Sequence, residues 1–570
     1  MRLLFMAVLI ITPAAVSAQS IHQIDSDFSS EWEATGFNNA RAMVRDGDGY
    51  FHIVYHSQDN PDTAPGGFCD IFYSHTLIPA PPMSSADWAP AVKIVSLPGD
   101  DRYPSIAIEH GSAGLSSDDD TLHVVWQHNE GEPGTVYDIL HCFSPNAQVP
   151  PPDVWSSPMP VHMSAHNSLV PDIDCSLGNI LHVVWQEEGV DPFSEIFYSQ
   201  SINHGNTWLP SANISMTAGA NSQMPDVATI IDFLEPPSQY TYCSDVVHVV
   251  WNDDYYAPSP PHILYTLSPD AGGLWLPFED ISLISGSPGA DGYPSLTVDR
   301  DDIPHVAWMT EILPAGPDPY TPGANPALVS SFPGPDPRMY GVLPNYILYS
   351  WRPGMWAPCE VVSGMVGDEE FPSIAVDPYG NLWVGYQNWL SGIDYDVCGA
   401  TKVIGSPPPW NLATLSNDLY HDDLFPSTAT KKAGTSTAGY DLIWTKIDSD
   451  LSAGGHFPIA AMSPAHEIWF TGNTNYFYVP VTSHDENVVG GNFFVETNPV
   501  LGGTWINTGN CSGDISIYDV SGRNVLERNI ESEVGRFYWD ISSELPVGIY
   551  SIFFQMNDSH ESVKVIVLER

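Results

Sequence analysis

The sequence predicts an all-β chain: a seven-bladed β-propeller, with six blades as the alternative count, followed by a small immunoglobulin-like β-sandwich. Three observations carry this. One strand, written LHVVW at its clearest, recurs seven times at intervals of 57 to 78 residues. Glycine (45) and proline (52) punctuate a chain in which charged residues make up only 15%, the composition of short strands joined by turns. No long stretch shows a 3.6-residue apolar period.

The elements follow in order. Arg2 precedes the apolar run LLFMAVLII, and Val16-Ser17-Ala18 supplies small residues for cleavage, so residues 1–18 read as a signal peptide. Residues 19–36 read as a lead-in. Over 37–480 each unit offers four short strands. The first is YPSIAIE, VPDID, MPDVA, YPSLTVD, FPSIAVD or FPSTAT, with a degenerate ARAMV at Ala40. The second is the recurring HIVY, HVVW, HVAW, WVGY or LIW run, ending at Tyr55, Trp126, Trp185, Trp251, Trp308, Tyr386 and Trp444. The third is DIFYS, DILHC, EIFYS, HILYT, YILYS or DVCGA, and a tryptophan follows at 88, 155, 208, 275, 356 and 410. From that tryptophan to the proline of the next unit the spacing is 16 to 19 residues. Such a register marks tandem blades, each packing its apolar faces on its neighbours. SPAHEIW, Ser463 to Trp469, reads as strands three and four of a seventh unit. A Gly/Asn-rich linker spans 481–492, and 493–570 shows alternating strands and glycine turns.

Composition excludes some functions. Against 17 basic residues stand 69 acidic ones, a formal charge of -52, which repels phosphate backbones and anionic lipid, so nucleic acid is not a partner. After the N-terminal run no segment approaches 18 uninterrupted apolar residues, so no transmembrane helix is expected. Seven scattered cysteines include no C-x-x-C pair. Some can pair as disulfides in an exported chain, with connectivity left open.

Two hairpins share a pattern. SINHGNTW sets Ser201, Asn203, Gly205 and Trp208 at the spacing that SPDAGGLW gives Ser268, Asp270, Gly272 and Trp275. The Asp or Asn side chain can accept hydrogen bonds within its own turn, and glycine takes the positive φ. The pattern resembles the Asp-box, or BNR repeat, of sialidase-like propellers. That resemblance implies the fold and a structural role for these residues. The enzymes of that family hold a substrate carboxylate with three arginines and use a tyrosine-glutamate pair and an aspartate. Over 37–480 this chain has only Arg41, Arg45, Arg102, Arg300, Arg338 and Arg352, too few at the strand-one starts for such a clamp.

At the other end, Asn498-Pro499, ISIYDVSGR, Trp539-Asp540, LPVGIY and the terminal VKVIVLER resemble the C-terminal sorting domain, type A-like, of type IX secretion cargo. The resemblance implies export through the periplasm of a Gram-negative bacterium, the secretion machinery as a partner, and release or display at the cell surface.

Ligands of propellers gather where loops converge over the channel. The strand-one starts and strand-two ends place Asp101, Arg102, Gln127, His128, Gln186, Glu187, Asn252, Asp253, Asp291, Glu311, Glu369, Gln387 and Asp422 at one mouth, as an acidic rim expected to be solvated. Carboxylate and carbonyl oxygens are what Ca²⁺ takes, though no cofactor motif is present. RDGDGYF, Arg45 to Phe51, lacks the distal glutamate of a calcium loop and reads as a hairpin turn. The histidines of the HVVW strands recur in five units and read as part of the fold. A Pro/Gly-rich insertion from Leu313 to Asn345 is long enough to overhang the mouth. With no catalytic constellation, the favoured expectation is a non-catalytic binding or adhesion module for an extracellular glycan or protein. The alternative is a sialidase-like glycoside hydrolase or lyase using rim carboxylates.

Overall fold

The computed structural model describes most of residues 20–473, chiefly excepting 25–33, 58–67, 110–119, 146–154, 233–241, 312–344, 430–439 and 449–465, and seven strands over 494–567. The expected signal peptide (1–18), the linker (481–492), Arg300, Arg338 and the insertion as far as residue 344 lie outside the described residues. The chain divides into two compact units, one ending at Tyr476 and the other covering Phe477–Arg570 with Ser436–Ala438.

The first unit is a β-propeller. Six blades, against the seven expected, are built from four consecutive antiparallel strands. The second blade, for instance, runs Asp100–Glu109, Thr121–Asn129, Asp138–Ser144 and Met159–His162. The last four-stranded sheet is composite: His421–Thr428, Tyr440–Asp448 and His466–Asn473 take their outer strand from Ser20–Gln23. SPAHEIW therefore supplies one strand rather than two, and the expected lead-in contributes the other. Ser20 pairs with Gly472 and Gln23 with Trp469, so the N-terminal segment clasps the end of the propeller to its beginning.

Apolar faces meet at every sheet-to-sheet junction. Trp126 packs with Val54 and Tyr73 of the first blade, Trp185 with Val125 and Ile139 of the second, and Trp251 with Tyr198 of the third. Ile443 of the composite sheet packs with Ile53 and Tyr55 of the first blade. Trp126, Trp185, Trp251, Trp308 and Trp444 are fully buried, and burying so large a side chain contributes about 4–6 kcal/mol from area alone.

The recurring histidines belong to this packing. His182 Nδ1 meets the Tyr198 hydroxyl at 2.8 Å, His248 the Tyr265 hydroxyl at 2.7 Å and His305 the Tyr349 hydroxyl at 2.7 Å. The same tyrosine rings carry Trp275, Trp356 and Trp410 of the following blades edge-on at 4.8, 5.1 and 5.0 Å. None of the five described cysteines, Cys69, Cys142, Cys175, Cys359 and Cys398, forms a disulfide.

Both Ser-x-Asp/Asn-x-Gly hairpins close as their chemistry dictates. Asn203 Oδ1 accepts from the Thr207 amide at 2.9 Å and Asp270 Oδ1 from the Leu274 amide at 2.7 Å, while the amides of Gly205 and Gly272 donate to Ser201 and Ser268. Glycine is required twice over at 272: φ is +93°, and an added Cβ would stand 1.9 Å from the Tyr198 hydroxyl. Gly272→Ala should cost about 2–4 kcal/mol, left-handed strain adding to the clash. At Gly354, where φ is +116° and nothing lies within 4 Å, alanine should cost about 1–2 kcal/mol. Urea unfolding of the two variants measures the difference.

The second unit holds a three-stranded sheet and a four-stranded sheet whose central strands are Gly513–Asp519 and Gly548–Gln555.

Candidate functional site

One backbone device, repeated six times, builds the channel mouth. Tyr103, Val170, Met224, Tyr293, Phe371 and Phe425 each stand immediately before a proline with φ between +45° and +53°. At each the strand-one to strand-two ladder slips register, as between Arg102 and Ser105 or Glu370 and Ser373. Proline cannot donate to the ladder and the preceding residue is pushed from the right-handed region, so a bulge forms. A left-handed conformation at a bulky residue costs about 1–3 kcal/mol and persists only where surroundings hold it. Gln127 Oε1 accepts from the Val170 amide at 2.9 Å, Gln387 Oε1 from the Phe425 amide at 3.0 Å, and His56 Nδ1 from the Tyr103 amide at 3.4 Å. Each comes from the preceding blade.

The bulges turn their side chains into a collar around Phe37. Its ring lies 4.8 Å from Tyr103 and 6.4 Å from Phe425; Phe425 meets Phe371 at 4.9 Å, and Phe371 meets Tyr293 at 4.6 Å. Phe37, Tyr103, Met224, Tyr293 and Phe371 remain partly exposed.

Below the collar the N-terminal segment fills the channel. Asn39 Nδ2 donates to the carbonyls of Pro225, at 2.8 Å, and Val170. Arg41 donates through Nη1 to the Ile374 carbonyl at 2.7 Å and to Thr428, and through Nη2 to the Leu296 carbonyl. The residues after the prolines form a belt. Asp172 accepts from the Val227 amide, Asp226 from Leu296, Ser295 from Ile374, Ser373 from Thr428, and Ser427 from Ala42. Ser105 accepts from Ile173, and the carbonyl of Arg41 from Ile106, so the belt closes on itself. Arg41 thus sits in the belt as a buried structural residue.

The predicted rim divides. Asp101, Glu187, Asp253, Asp291 and Glu369 are at most 2% exposed, whereas a solvated rim was expected. For three of them the cause is the strand-two tryptophan: the Trp126 indole donates to Asp101 at 2.6 Å, Trp185 to Glu187 at 2.9 Å and Trp251 to Asp253 at 2.9 Å. Hydroxyls take further lone pairs, Ser168 on Glu187 at 2.6 Å, Ser222 on Asp253 at 2.7 Å, Ser287 on Asp291 at 2.7 Å and Ser363 on Glu369. Burial pushes Asp291 up to about 6. At Glu187 burial works in the same direction, but the bonds from His162, Ser164, Ser168 and Trp185 outweigh it and hold the carboxyl low. Gln127, Gln186 and Gln387 are buried, the first and last as caps of the bulges. His128 Nδ1 meets Asp101 at 2.7 Å, and Arg102 Nε donates to Asp100 at 2.8 Å. Asn252 is half-buried and Glu311 exposed, and Asp422 lies in the strand His421–Thr428, its backbone opposite Ile447. Among the described residues no group of three or more His, Cys, Asp or Glu converges as a metal site.

One carboxyl outside the predicted set stands apart. Glu370 receives a hydrogen bond from Gln387 Nε2 at 3.0 Å and a longer one from Asn345 at 3.4 Å, and burial, then the neighbouring Asp368, pushes it up to about 7. Its signal in the sequence is its place in the run Asp368-Glu369-Glu370 at a strand-one start.

The C-terminal strands match a family described as "Secretion system C-terminal sorting domain" over residues 497–568. The chain carries a type IX sorting domain. It is exported by that route to the medium or the cell surface, with the secretion machinery as a partner. No helix among the described residues is long and apolar enough to cross a membrane. No curated protein matches the chain. Among solved structures, an ulvan lyase, described as a new family of polysaccharide lyase, is 9% identical, covering 80% of this chain and 96% of its own at a TM-score of 0.48. A Hadza microbial sialidase is 12% identical over 77% and 65% at 0.37, and the Trypanosoma rangeli sialidase 9% identical over 96% and 86% at 0.36. At such values the likeness carries nothing about chemistry.

Proposed function

We propose that the exported propeller binds an extracellular glycan at its channel mouth without cleaving it. The aromatic collar around Phe37 carries the reading. Sugar rings are amphipathic, with C–H faces that lie on aromatic rings and hydroxyl edges that need polar partners. A partly exposed aromatic floor edged by Arg102, His128 and Asn252 offers both. The buried carboxylates support binding over catalysis, since each has an oxygen engaged by an indole or a hydroxyl. In this reading residues 1–18 are a signal peptide, removed close to the strand Ser20–Gln23, and the two C-terminal sheets pack as a small immunoglobulin-like sandwich. Affinity electrophoresis against a panel of neutral and charged polysaccharides tests it. Tyr293→Ala with Phe371→Ala should weaken binding about tenfold or more while the fold persists by circular dichroism, and no reducing or unsaturated ends should appear. Unaltered binding in that variant would overturn the reading.

Glu370 favours a second reading, cleavage, because a carboxyl near 7 beside Asp368 suits a general acid. Glu370→Gln separates the two. If the mouth cleaves, turnover falls about 10²-fold or more. If it only binds, affinity stays and stability responds to pH. Because burial raises the carboxyl, the folded state loses stability as pH climbs from the ordinary glutamate value of 4.5 to about 7. The neutral amide should therefore raise the melting temperature at about pH 8 and leave it nearly unchanged at about pH 4, below both values.

A further inference from the structure

The fourth blade breaks the repeat at the mouth. Near their ends the second strands of the second and third blades are polar, at Gln127-His128-Asn129 and Gln186-Glu187-Glu188, and that of the sixth carries a partly buried Trp389 stacked with Tyr395, but after Asp253 the fourth continues through Asp254 to Tyr255 and Tyr256. Both rings are exposed, at 47% and 36%, and both are fixed. The Tyr255 amide donates to Asp253 Oδ1 at 2.7 Å, while the other carboxylate oxygen of Asp253 is tied to Trp251, Ser222 and Thr217. The Tyr255 ring meets Phe278 at 5.7 Å and Tyr256 at 5.1 Å, and the Tyr256 ring meets His262 at 5.1 Å. His262 Nδ1 is held by Asp280 at 2.8 Å.

We infer that Tyr255 and Tyr256 form a second sugar subsite, one that extends an uncharged polysaccharide chain outward from the collar. The inference rests on the glycan-binding reading above. Placement supports it: Asn252 pairs with Gln223, the residue before Met224 of the collar, so the tyrosines begin on the order of 10 Å away by strand spacing and rise. Charge selects the ligand. Asp253, Asp254 and Asp280 border the pair on a chain of net charge -52, which repels sulfated or uronic chains. Sugar hydroxyls can donate to the acidic edges. A protein partner would call for a broad continuous apolar patch, and here a small group of rings stands among carboxylates.

The test uses the full chain, isothermal calorimetry, and xylan, glucomannan and soluble starch with their oligosaccharides of graded length; alginate and dextran sulfate are the anionic probes. Tyr255→Ala with Tyr256→Ala should weaken the long neutral chain about tenfold and leave the shortest bound oligosaccharide unchanged, with an unshifted melting temperature. Tyr255→Phe with Tyr256→Phe should restore most of the loss. If the parent binds neutral chains and the double alanine variant keeps the same length dependence, this inference falls alone. Preference of the parent for the anionic probes also overturns it. If the parent binds no probe, the glycan reading falls and takes this inference with it.

Discussion

Arg41→Met should nearly unfold the propeller at pH 8 and harm it less at pH 5. Arg41 is 6% exposed, and its guanidinium spans the channel to carbonyls of the fifth and sixth blades and to Thr428 of the composite sheet. Its charge also faces Asp172 and Asp226, both buried in the belt and held above the ordinary carboxylate range by burial, against which Arg41 works. Removing one partner of a buried charge network costs about 3–5 kcal/mol because the remaining charges are left uncompensated. The sign of the pH effect follows. A buried carboxyl whose folded pKa is raised destabilises the fold where it is ionised, and that penalty fades as pH falls through its folded value. Without Arg41 both acids rise further, so the deficit of the variant should shrink toward pH 5. Adding Asp226→Asn should recover part of the loss at pH 8. Urea midpoints of the parent, single and double variants across pH 5 to 8 check this, and a small, pH-independent loss would defeat it.

Much of this fold could be read from the strands themselves. LHVVW places alternate residues on opposite faces, and the structure buries both, because every blade is covered by two neighbours. The histidine at one position of that strand was legible as fold chemistry from its repetition. Ring closure was not legible in the same way. Ser20–Gln23 is four residues with no repeat signature, and its partner His466–Asn473 looked like the start of a hairpin. ARAMV looked like a degraded copy of YPSIAIE, when its arginine replaces the belt serine and reaches across the channel.

The candidate site was legible in place and misread in character. Period two alone puts Glu187 on the face of Trp185 and Asp253 on the face of Trp251, so the indole bonds that bury these acids were available from the spacing. Loop acids on an acidic protein drew the opposite inference. The collar was written six times, as a large residue before proline. Its inward turn depends on a positive φ that pre-proline residues seldom adopt, and at Tyr103, Val170 and Phe425 that φ is held by a glutamine or histidine one blade away, which sequence spacing does not connect.

Deleting residues 1–24 should leave a weakened propeller that self-associates where the parent does not. The deletion removes the outer strand of the composite sheet, with its ladder from Ser20↔Gly472 to Gln23↔Trp469, and the buried Ile24. Four ladder pairings at about 0.5–1.5 kcal/mol per hydrogen bond and the isoleucine at about 2 kcal/mol place the loss near 4–8 kcal/mol. The edge of His466–Asn473, sequence HEIWFTGN, would then present unpaired backbone groups, a template for another chain. Removing the composite sheet's outer strand leaves Thr35, Asn39 and Arg41 in the channel, anchored by the Thr35 hydroxyl on the Phe425 carbonyl at 2.9 Å and by Asn39 on Pro225. The ring should therefore open at one junction before it melts throughout, giving an early partial transition in urea where the parent shows one. Size-exclusion chromatography at two concentrations, with unfolding followed by tryptophan fluorescence, reads both effects; a monomer with a single, unshifted transition would show that the N-terminal strand does not clasp the ring.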